Sequence, residues 1–166
     1  MDFEPTNNIG PLEKQMKMEK YRHDMLTHGV YVVTAQHEGK RGGMTAAWAT
    51  QTAVNHILVC IGKNSATREL ILASNAFGFN ILTVDQIDLA WRFGRASSRE
   101  VDKFERLPTH TLETGSPLLD ECAAAFDCRV QEVFDSGNHK LIVGEIVAAE
   151  RMLEDYQPLI YSVEDY

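Results

Sequence analysis

The sequence predicts a mainly β protein whose strands form an antiparallel sheet, curled into a barrel, with two short inserted helices. Six or seven segments are rich in β-branched and aromatic residues, and most neighbouring segments are joined by tight turns. Helical spacing of apolar residues occurs at two places, after the third and fourth strands, and the loose N-terminal arm is expected to lead into a further short helix. A parallel sheet is the weaker interpretation, because it would need a helix between nearly every pair of strands.

The size and charge of the chain limit its class. Its 166 residues are 44% hydrophobic and 24% charged, which is typical of a folded domain; we place an N-terminal arm at residues 1–20 and one domain at residues 21–166. The net charge of −8 is spread along the chain and argues against nucleic acid or an anionic membrane as partner. Without a long apolar run or a signal-peptide pattern, we expect a cytoplasmic protein with three reduced cysteines.

The first half of the chain predicts a hairpin, a third strand and a helix. The run "VYVVTAQ" from Val30 is a strand, a glycine-rich turn follows, and residues 42–53 are the returning strand. "ILVCIG" from Ile57 is a short buried strand. Asn64 and Ser65 are suitable N-cap residues for the helix that begins next.

The second half alternates between regular and irregular segments. "FGFNILT" is a strand, and "DQIDLAWRFG" is a helix capped by Asp85 and closed by Gly94. Residues 95–115 show no periodicity, and a long irregular segment inside a compact domain is more often functional than idle. Two apolar segments on either side of the turn at residues 136–138 form a long hairpin.

The returning strand at residues 42–53, "GGMTAAWATQTA", contains small residues around Trp48. In a single strand, alternate residues share a face, so the face of Trp48 would also carry Met44, Ala46, Thr50 and Thr52. Most of these side chains are small, so the backbone around the indole would be accessible. A flat aromatic ligand fits such a surface, a partner subunit fits it equally, and a core position is common for tryptophan.

Two further features are candidates for ligand binding. In "GKNSATREL", polar side chains surround a new helix start, and such a site can hold a phosphate, although a plain capped helix has the same pattern. His139 opens a strand directly after a turn, where its ring reaches a ligand or only solvent. No metal, P-loop, Rossmann or GxSxG motif occurs, so a nicotinamide would bind without a Rossmann fold.

Taken in order, these segments resemble the flavin reductase family, whose fold is the FMN-binding split barrel, an antiparallel split β-barrel. The resemblance covers about residues 25–166 and rests on an ordered set of short motifs. They are "GVYVVTA", "GGMTAAWATQTA", "NSATRELI", "FGFNIL", "DQIDLAWRFG", "VDKF", "TGSPLL", "AAFDCRV", "GNHKLIVGEIV" and "PLIY".

The resemblance implies positions for the flavin. The ring would lie along one strand, the phosphate and ribityl tail at one helix start, and the nicotinamide near His139, the candidate catalytic residue. Tyr161 or Tyr166 would come from a neighbouring subunit. The implied cofactor-binding residues are Met44, Thr45, Ala46, Ala47, Trp48, Ala49, Thr50, Lys63, Asn64, Ser65, Thr67, Asn80, Lys103 and Tyr161.

The resemblance also implies an activity. Such proteins pass a hydride from NADH or NADPH to FMN or FAD, act as homodimers with flavin sites at the interface, and supply reduced flavin to an oxygenase. Trp48 stands where many members that release their flavin have a small polar residue. A tryptophan at this position resembles the members that retain FMN. A flavoredoxin-type electron carrier, a non-catalytic flavin-binding domain and an unrelated flavin-free barrel are the alternatives.

Overall fold

The structure is a computed structural model that describes residues 26–162 and residue 164; the predicted N-terminal arm and Tyr166 lie outside the described residues. Within them, a 3-10 turn at Val84–Gln86 precedes the second of two α-helices, α1 (Ala66–Ser74) and α2 (Ile87–Gly94). The strands are β1 (Tyr31–His37), β2 (Lys40–Ala46), β3 (Ala49–Ala53), β4 (His56–Gly62), β5 (Ala76–Ile81), β6 (Thr109–His110), β7 (Leu118–Leu119), β8 (Ala124–Ser136) and β9 (His139–Arg151).

Seven strands form one antiparallel sheet in the order β2-β1-β5-β8-β9-β4-β3, and β6 pairs with β7 separately. Strands β2 and β3 follow each other in the chain but form opposite edges of this sheet. Only Ala47 and Trp48 lie between them. Because consecutive Cα atoms are about 3.8 Å apart, this link reaches about 11 Å at most, and the two edges must meet.

The sheet is therefore a barrel that is split between β2 and β3. The amide of Cys60 on β4 donates to the carbonyl oxygen of Trp48 at 2.8 Å and fixes the link at the split. The predicted fold class, a mainly β antiparallel split barrel with short inserted helices, is confirmed.

One prediction about the strands is wrong. Residues 42–53 are not a single returning strand, because β2 ends at Ala46 and β3 begins at Ala49. The chain leaves one edge of the sheet and enters the other here, and the amide of Ala49 donates back to the carbonyl oxygen of Ala47 at 3.2 Å. Side chains therefore do not alternate strictly between two faces from β2 through Trp48 to β3. Thr50 does not share a face with Trp48, contrary to the prediction.

The barrel wall has a core on each side. Strand β1 is buried on both faces: Val32 packs in one apolar cluster with α2, while Val33 packs in the other with α1. Close packing also requires a glycine at position 43, because a Cβ atom there would lie 2.5 Å from the ring of Phe93. The residues of β2 that follow Gly43 are thus held against α2.

The helix boundaries follow their caps. Ser65 Oγ accepts from the amide of Arg68 at 3.4 Å and starts α1 as predicted. Asp85 is not the cap predicted for the second helix. Thr83, two residues earlier, is the N-cap of the preceding 3-10 turn, and the side-chain oxygen of Gln86 accepts from its amide at 3.0 Å. In the described part of the chain, neither helix has the length and apolar character needed to cross a bilayer.

Candidate functional site

Two adjoining cavities, of about 200 and 310 Å³, open at the split of the barrel and share Met44 and Thr45. We call the smaller one the ring cavity and the larger one the phosphate cavity. The ring cavity is lined by Met44, Thr45, Ala46, Ala47, Trp48, Cys60, Gly62, His139 and Tyr161. The phosphate cavity is lined by Gly43, Met44, Thr45, Asn64, Ser65, Ala66, Thr67, Phe93, Gly94, Ala96, Ser97, Ser98 and Lys103.

The ring cavity combines a backbone link with two aromatic rings. The antiparallel pairing of β4 with β9 sets His139 opposite Gly62, next to the split. The rings of Trp48 and His139 are 5.1 Å apart between centroids, with an angle of 51° between their planes. Nδ1 of His139 lies 2.6 Å from the side-chain oxygen of Asn138, and this contact orients the imidazole. A flat ligand can reach backbone polar groups here because the neighbouring side chains are small.

The phosphate cavity contains a buried cation. The ammonium of Lys103 donates to the carbonyl oxygens of Gly43, at 3.0 Å, and Phe93, at 2.6 Å, and the residue is only 5% exposed. Among the residues that the structure describes, no carboxylate forms an ion pair with it. Burial lowers the pKa of Lys103. Because a buried ammonium without an anion is costly and its third proton remains for another acceptor, this cavity suits an anion.

The start of α1 adds hydrogen-bonding groups to the same cavity. Ser65, the N-cap, and Thr67, in the first turn of the helix, line it where the unpaired backbone amides of a helix start can donate to an anion. In the same turn, Nε of Arg68 is buried and has no hydrogen-bond partner. The donor set of this end, an ammonium, hydroxyls and a helix start, fits a phosphate monoester such as that of FMN.

Four predicted site residues lie elsewhere. Lys63 pairs with Asp135 at 2.9 Å, and hydrogen bonds from Lys63 and Lys140 lower the pKa of Asp135 to about 2. Asn80 is fully buried, and its amide bridges Val32 and Leu119 of the core. Ala49 and Thr50 line another cavity, on the apolar face described below.

The resemblance assigned no role to several residues that line the two cavities. Cys60 contributes a half-buried thiol to the ring cavity, and burial raises the pKa of this thiol. Ser98 holds β2 to the irregular segment: its hydroxyl accepts from the amide of Gly43 at 3.2 Å and donates to the carbonyl oxygen of the same residue at 3.1 Å. The lack of periodicity in residues 95–115 predicted a functional segment there, but nothing in the sequence distinguished Ser98 within it.

The described residues include three free cysteines and no cluster of side chains that could hold a metal ion. Burial raises the pKa of Cys122 and of Cys128 to about 12. These two thiols are therefore protonated and unreactive at neutral pH.

A split barrel with a groove that ends at a buried ammonium has the shape and charge that suit a flat, phosphorylated ligand. The chain belongs to the family described as the flavin reductase like domain, whose model matches residues 22–166. The resemblance predicted from the sequence is thereby confirmed.

Individual relatives agree with this assignment. A ferric-chelate reductase (NAD(P)H) from Archaeoglobus fulgidus is 33% identical over 141 residues, which are 82% of this chain and 83% of the relative. An FMN reductase (NADH), RutF 2, from Rhizobium rhizogenes is 30% identical over 154 residues, 90% of this chain and 88% of the relative. The crystal structure of a nitrilotriacetate monooxygenase component B homologue from Mycobacterium thermoresistibile superposes with a TM-score of 0.79, at 29% identity, over 89% of this chain and 84% of that chain.

Proposed function

We propose that this protein is a flavin reductase that uses NADH or NADPH to reduce FMN held in the ring and phosphate cavities. The observation that carries the proposal is Lys103, a buried ammonium with no counter-ion among the described residues, at one end of a groove whose other end is Trp48 and His139. The names of the relatives support the same reaction class, an oxidoreductase with flavin and a nicotinamide donor.

In this proposal the chain binds the flavin and orients the nicotinamide donor against it. Met44 to Trp48 provide the backbone edge for the isoalloxazine, while Lys103, Ser65 and Thr67 bind the phosphate. The flavin supplies the redox chemistry when bound, so no acid–base triad is required. His139 flanks the ring cavity and orients the donor against the flavin, which is a positioning role. Lys63, Asn80, Ala49 and Thr50 are left out because they lie outside both cavities.

The second candidate function is an electron carrier of flavoredoxin type that retains its FMN. The observation that favours it is the contact between Trp48 and His139, because two aromatic rings at the ring cavity slow the departure of a flat ligand. A reductase of the diffusible type would release reduced flavin to an oxygenase. The monooxygenase component among the structural relatives supports an oxygenase as the partner.

We also propose that the protein is a homodimer that buries an apolar face next to the split. This face surrounds a cavity of about 320 Å³ and includes Val54, which is 93% exposed. The rings of Tyr31, Phe79 and Phe126 follow one another along this cavity, with centroids 4.6 and 6.3 Å apart; Phe79 is buried and the other two are half-buried. Exposed apolar patches of this kind mark interaction sites, and β3 connects the face directly to Trp48. Tyr161 lines the ring cavity from its own chain, so the proposed dimer does not need it from the partner.

Anaerobic mixing tests the proposed reaction. The purified protein with FMN is combined with NADH or with NADPH, and bleaching of the flavin absorbance is followed. We expect rapid bleaching with at least one donor. Passage of the reduced flavin through a filter that retains the protein then indicates a diffusible product, and its retention indicates a carrier. Binding of FMN without bleaching by either donor would contradict the reductase.

A further inference from the structure

Met44 lies where the ring cavity and the phosphate cavity meet, and its sulfur has a defined partner. The residue is half-buried and lines both cavities. The hydroxyl of Ser65 donates to the Sδ atom of Met44 at 3.1 Å. On either side of it, Gly43 and Thr45 face α2, so the Met44 side chain projects from β2 towards α1. The thioether is therefore held against the start of that helix.

Ser65 has a single hydroxyl proton, and two groups at this site can accept it. Its oxygen accepts from the amide of Arg68 as the N-cap of α1, and its proton goes to the thioether of Met44. A phosphate in the neighbouring cavity would take the same proton, because an anionic oxygen is a much stronger acceptor than a thioether sulfur. A sulfoxide in place of the thioether would be polar and would compete with the phosphate for this proton.

Of the two sulfur atoms at the ring cavity, that of Met44 is the easier to oxidise. Cys60 also lines this cavity, but burial raises the pKa of its thiol, and a protonated thiol is a poor nucleophile. A thioether needs no deprotonation before it reacts with a peroxide. Met152, the other methionine among the described residues, packs against the core and lines neither cavity.

We propose that Met44 is an oxidation site at which hydrogen peroxide, formed when reduced flavin meets dioxygen, lowers the affinity of the protein for FMN. The inference rests on the proposed function, because that function supplies the reduced flavin. Dioxygen takes two electrons and two protons from reduced FMN and becomes hydrogen peroxide. The thioether sulfur then bonds to one peroxide oxygen while the O–O bond breaks, and the other oxygen leaves with both protons as water. Sulfur is oxidised to the sulfoxide, and the peroxide is reduced.

The modification should act mainly through the flavin phosphate. The sulfoxide oxygen holds the Ser65 proton more strongly than the thioether does, so this hydroxyl is withheld from the phosphate. Loss of one hydrogen bond to a charged group corresponds to a rise of about tenfold in the Kd for FMN. Riboflavin, which has no phosphate, should change its Kd by less than about threefold.

Peroxide treatment of the flavin-free protein tests the inference. Wild type, Met44→Leu and the matched control Met152→Leu are treated with hydrogen peroxide, and each is titrated with FMN and riboflavin beside its own untreated sample. Peptide mass spectrometry should show a gain of about 16 Da at Met44 of the wild type. We expect the Kd for FMN to rise about tenfold in the wild type and in Met152→Leu, and to change little in Met44→Leu.

Repair of the sulfoxide gives a second comparison that needs no variant. Methionine sulfoxide reductases should return the oxidised wild type to its original Kd for FMN, whereas a thiol reductant alone should not. Aerobic cycling with FMN and NADH or NADPH should produce the same modification without added peroxide, and anaerobic cycling should leave Met44 unmodified.

Three results would overturn the inference. They are an unmodified Met44 after peroxide treatment, a modified Met44 with unchanged affinity for FMN, and a loss of affinity in Met44→Leu as large as in the wild type. All three leave the proposed function intact when the untreated wild type binds and reduces FMN. An untreated wild type that binds no FMN would overturn both.

Discussion

The ammonium nitrogen of Lys103 lies 3.0 Å from the carbonyl oxygen of Gly43, so the irregular segment after α2 fixes a cation against β2. Ser98 of the same segment holds the same glycine through two hydrogen bonds. The barrel wall and the segment outside it thus form one cavity, and hydrogen bonds to the backbone carbonyls of Gly43 and Phe93 hold the cation in place.

Replacement of Lys103 should weaken the binding only of flavins that carry a phosphate. Lys103→Met removes the charge and keeps the approximate shape, and we expect FMN to bind about 10- to 100-fold more weakly because a charge-assisted hydrogen bond is lost. Riboflavin, which has no phosphate, should keep its wild-type Kd. The thermal midpoint should change little, since the loss of a desolvated ammonium offsets the two lost hydrogen bonds. Equal losses for FMN and riboflavin would contradict the assignment.

Trp48 should control how long the flavin stays. Trp48→Ala removes the ring that contacts His139, and we expect the dissociation rate of FMN to rise about tenfold. The side chain is 38% exposed, so its loss should cost about 2–3 kcal/mol of unfolding free energy and about 5–10 °C in Tm, with the fold retained. Stopped-flow dilution and thermal melts measure the two effects, and Trp48→Phe should restore most of the slow release. Loss of the fold without a separate change in release would place Trp48 in the core.

The apolar face should determine the oligomeric state. Thr50 is exposed and lines its cavity, so Thr50→Arg introduces a charge into the proposed interface with little effect on the folded chain. We expect a dimer for the wild type and a monomer for this variant in sedimentation equilibrium. Thr111→Arg, at an exposed position outside this cavity, is the matched control and should remain dimeric. A wild-type monomer with full FMN affinity would refute the dimer.

His110 should make stability depend on pH. A hydrogen bond to Asp120 at 2.6 Å, assisted by the charge of Glu150, raises the pKa of His110 above its ordinary value of 6.5. The stabilisation is therefore complete below that ordinary value and is lost as the pH rises through the raised pKa. His110→Gln should reduce the fall in Tm between about pH 6 and about pH 9, by about 2–4 °C at most, because the ion pairs are partly exposed. The same pH dependence in both proteins would contradict this role.

The sequence predicted the elements whose signals are local. Ser65 begins α1 where the cap pattern indicated, and the long hairpin of β8 and β9 turns at the predicted glycine. The break between β2 and β3 was missed because residues 42–53 are mostly small, and this pattern is compatible with one long strand as well as with two short ones. Only the closure of the barrel requires the chain to change edges at Ala47 and Trp48.

Some of the predicted site residues line the two cavities and others do not, again because the sequence signals are local. Among the residues that the family resemblance implied, Met44 to Trp48, Ser65, Thr67 and Lys103 line the two cavities. The resemblance could not reveal that the Asn80 amide donates to the carbonyl of Val32 in the core, or that Lys63 pairs with Asp135. Both interactions are made with partners distant in sequence. Ser98 was missed because a single serine in an irregular segment has no distinguishing pattern.

A crystal structure of the protein with FMN is the most direct measurement of the central claim, that the groove at the split holds the flavin. We predict the phosphate within hydrogen-bond distance of the Lys103 ammonium and the isoalloxazine along the backbone from Met44 to Trp48. Flavin bound on the apolar face beside Thr50, or with its phosphate away from Lys103, would contradict the claim.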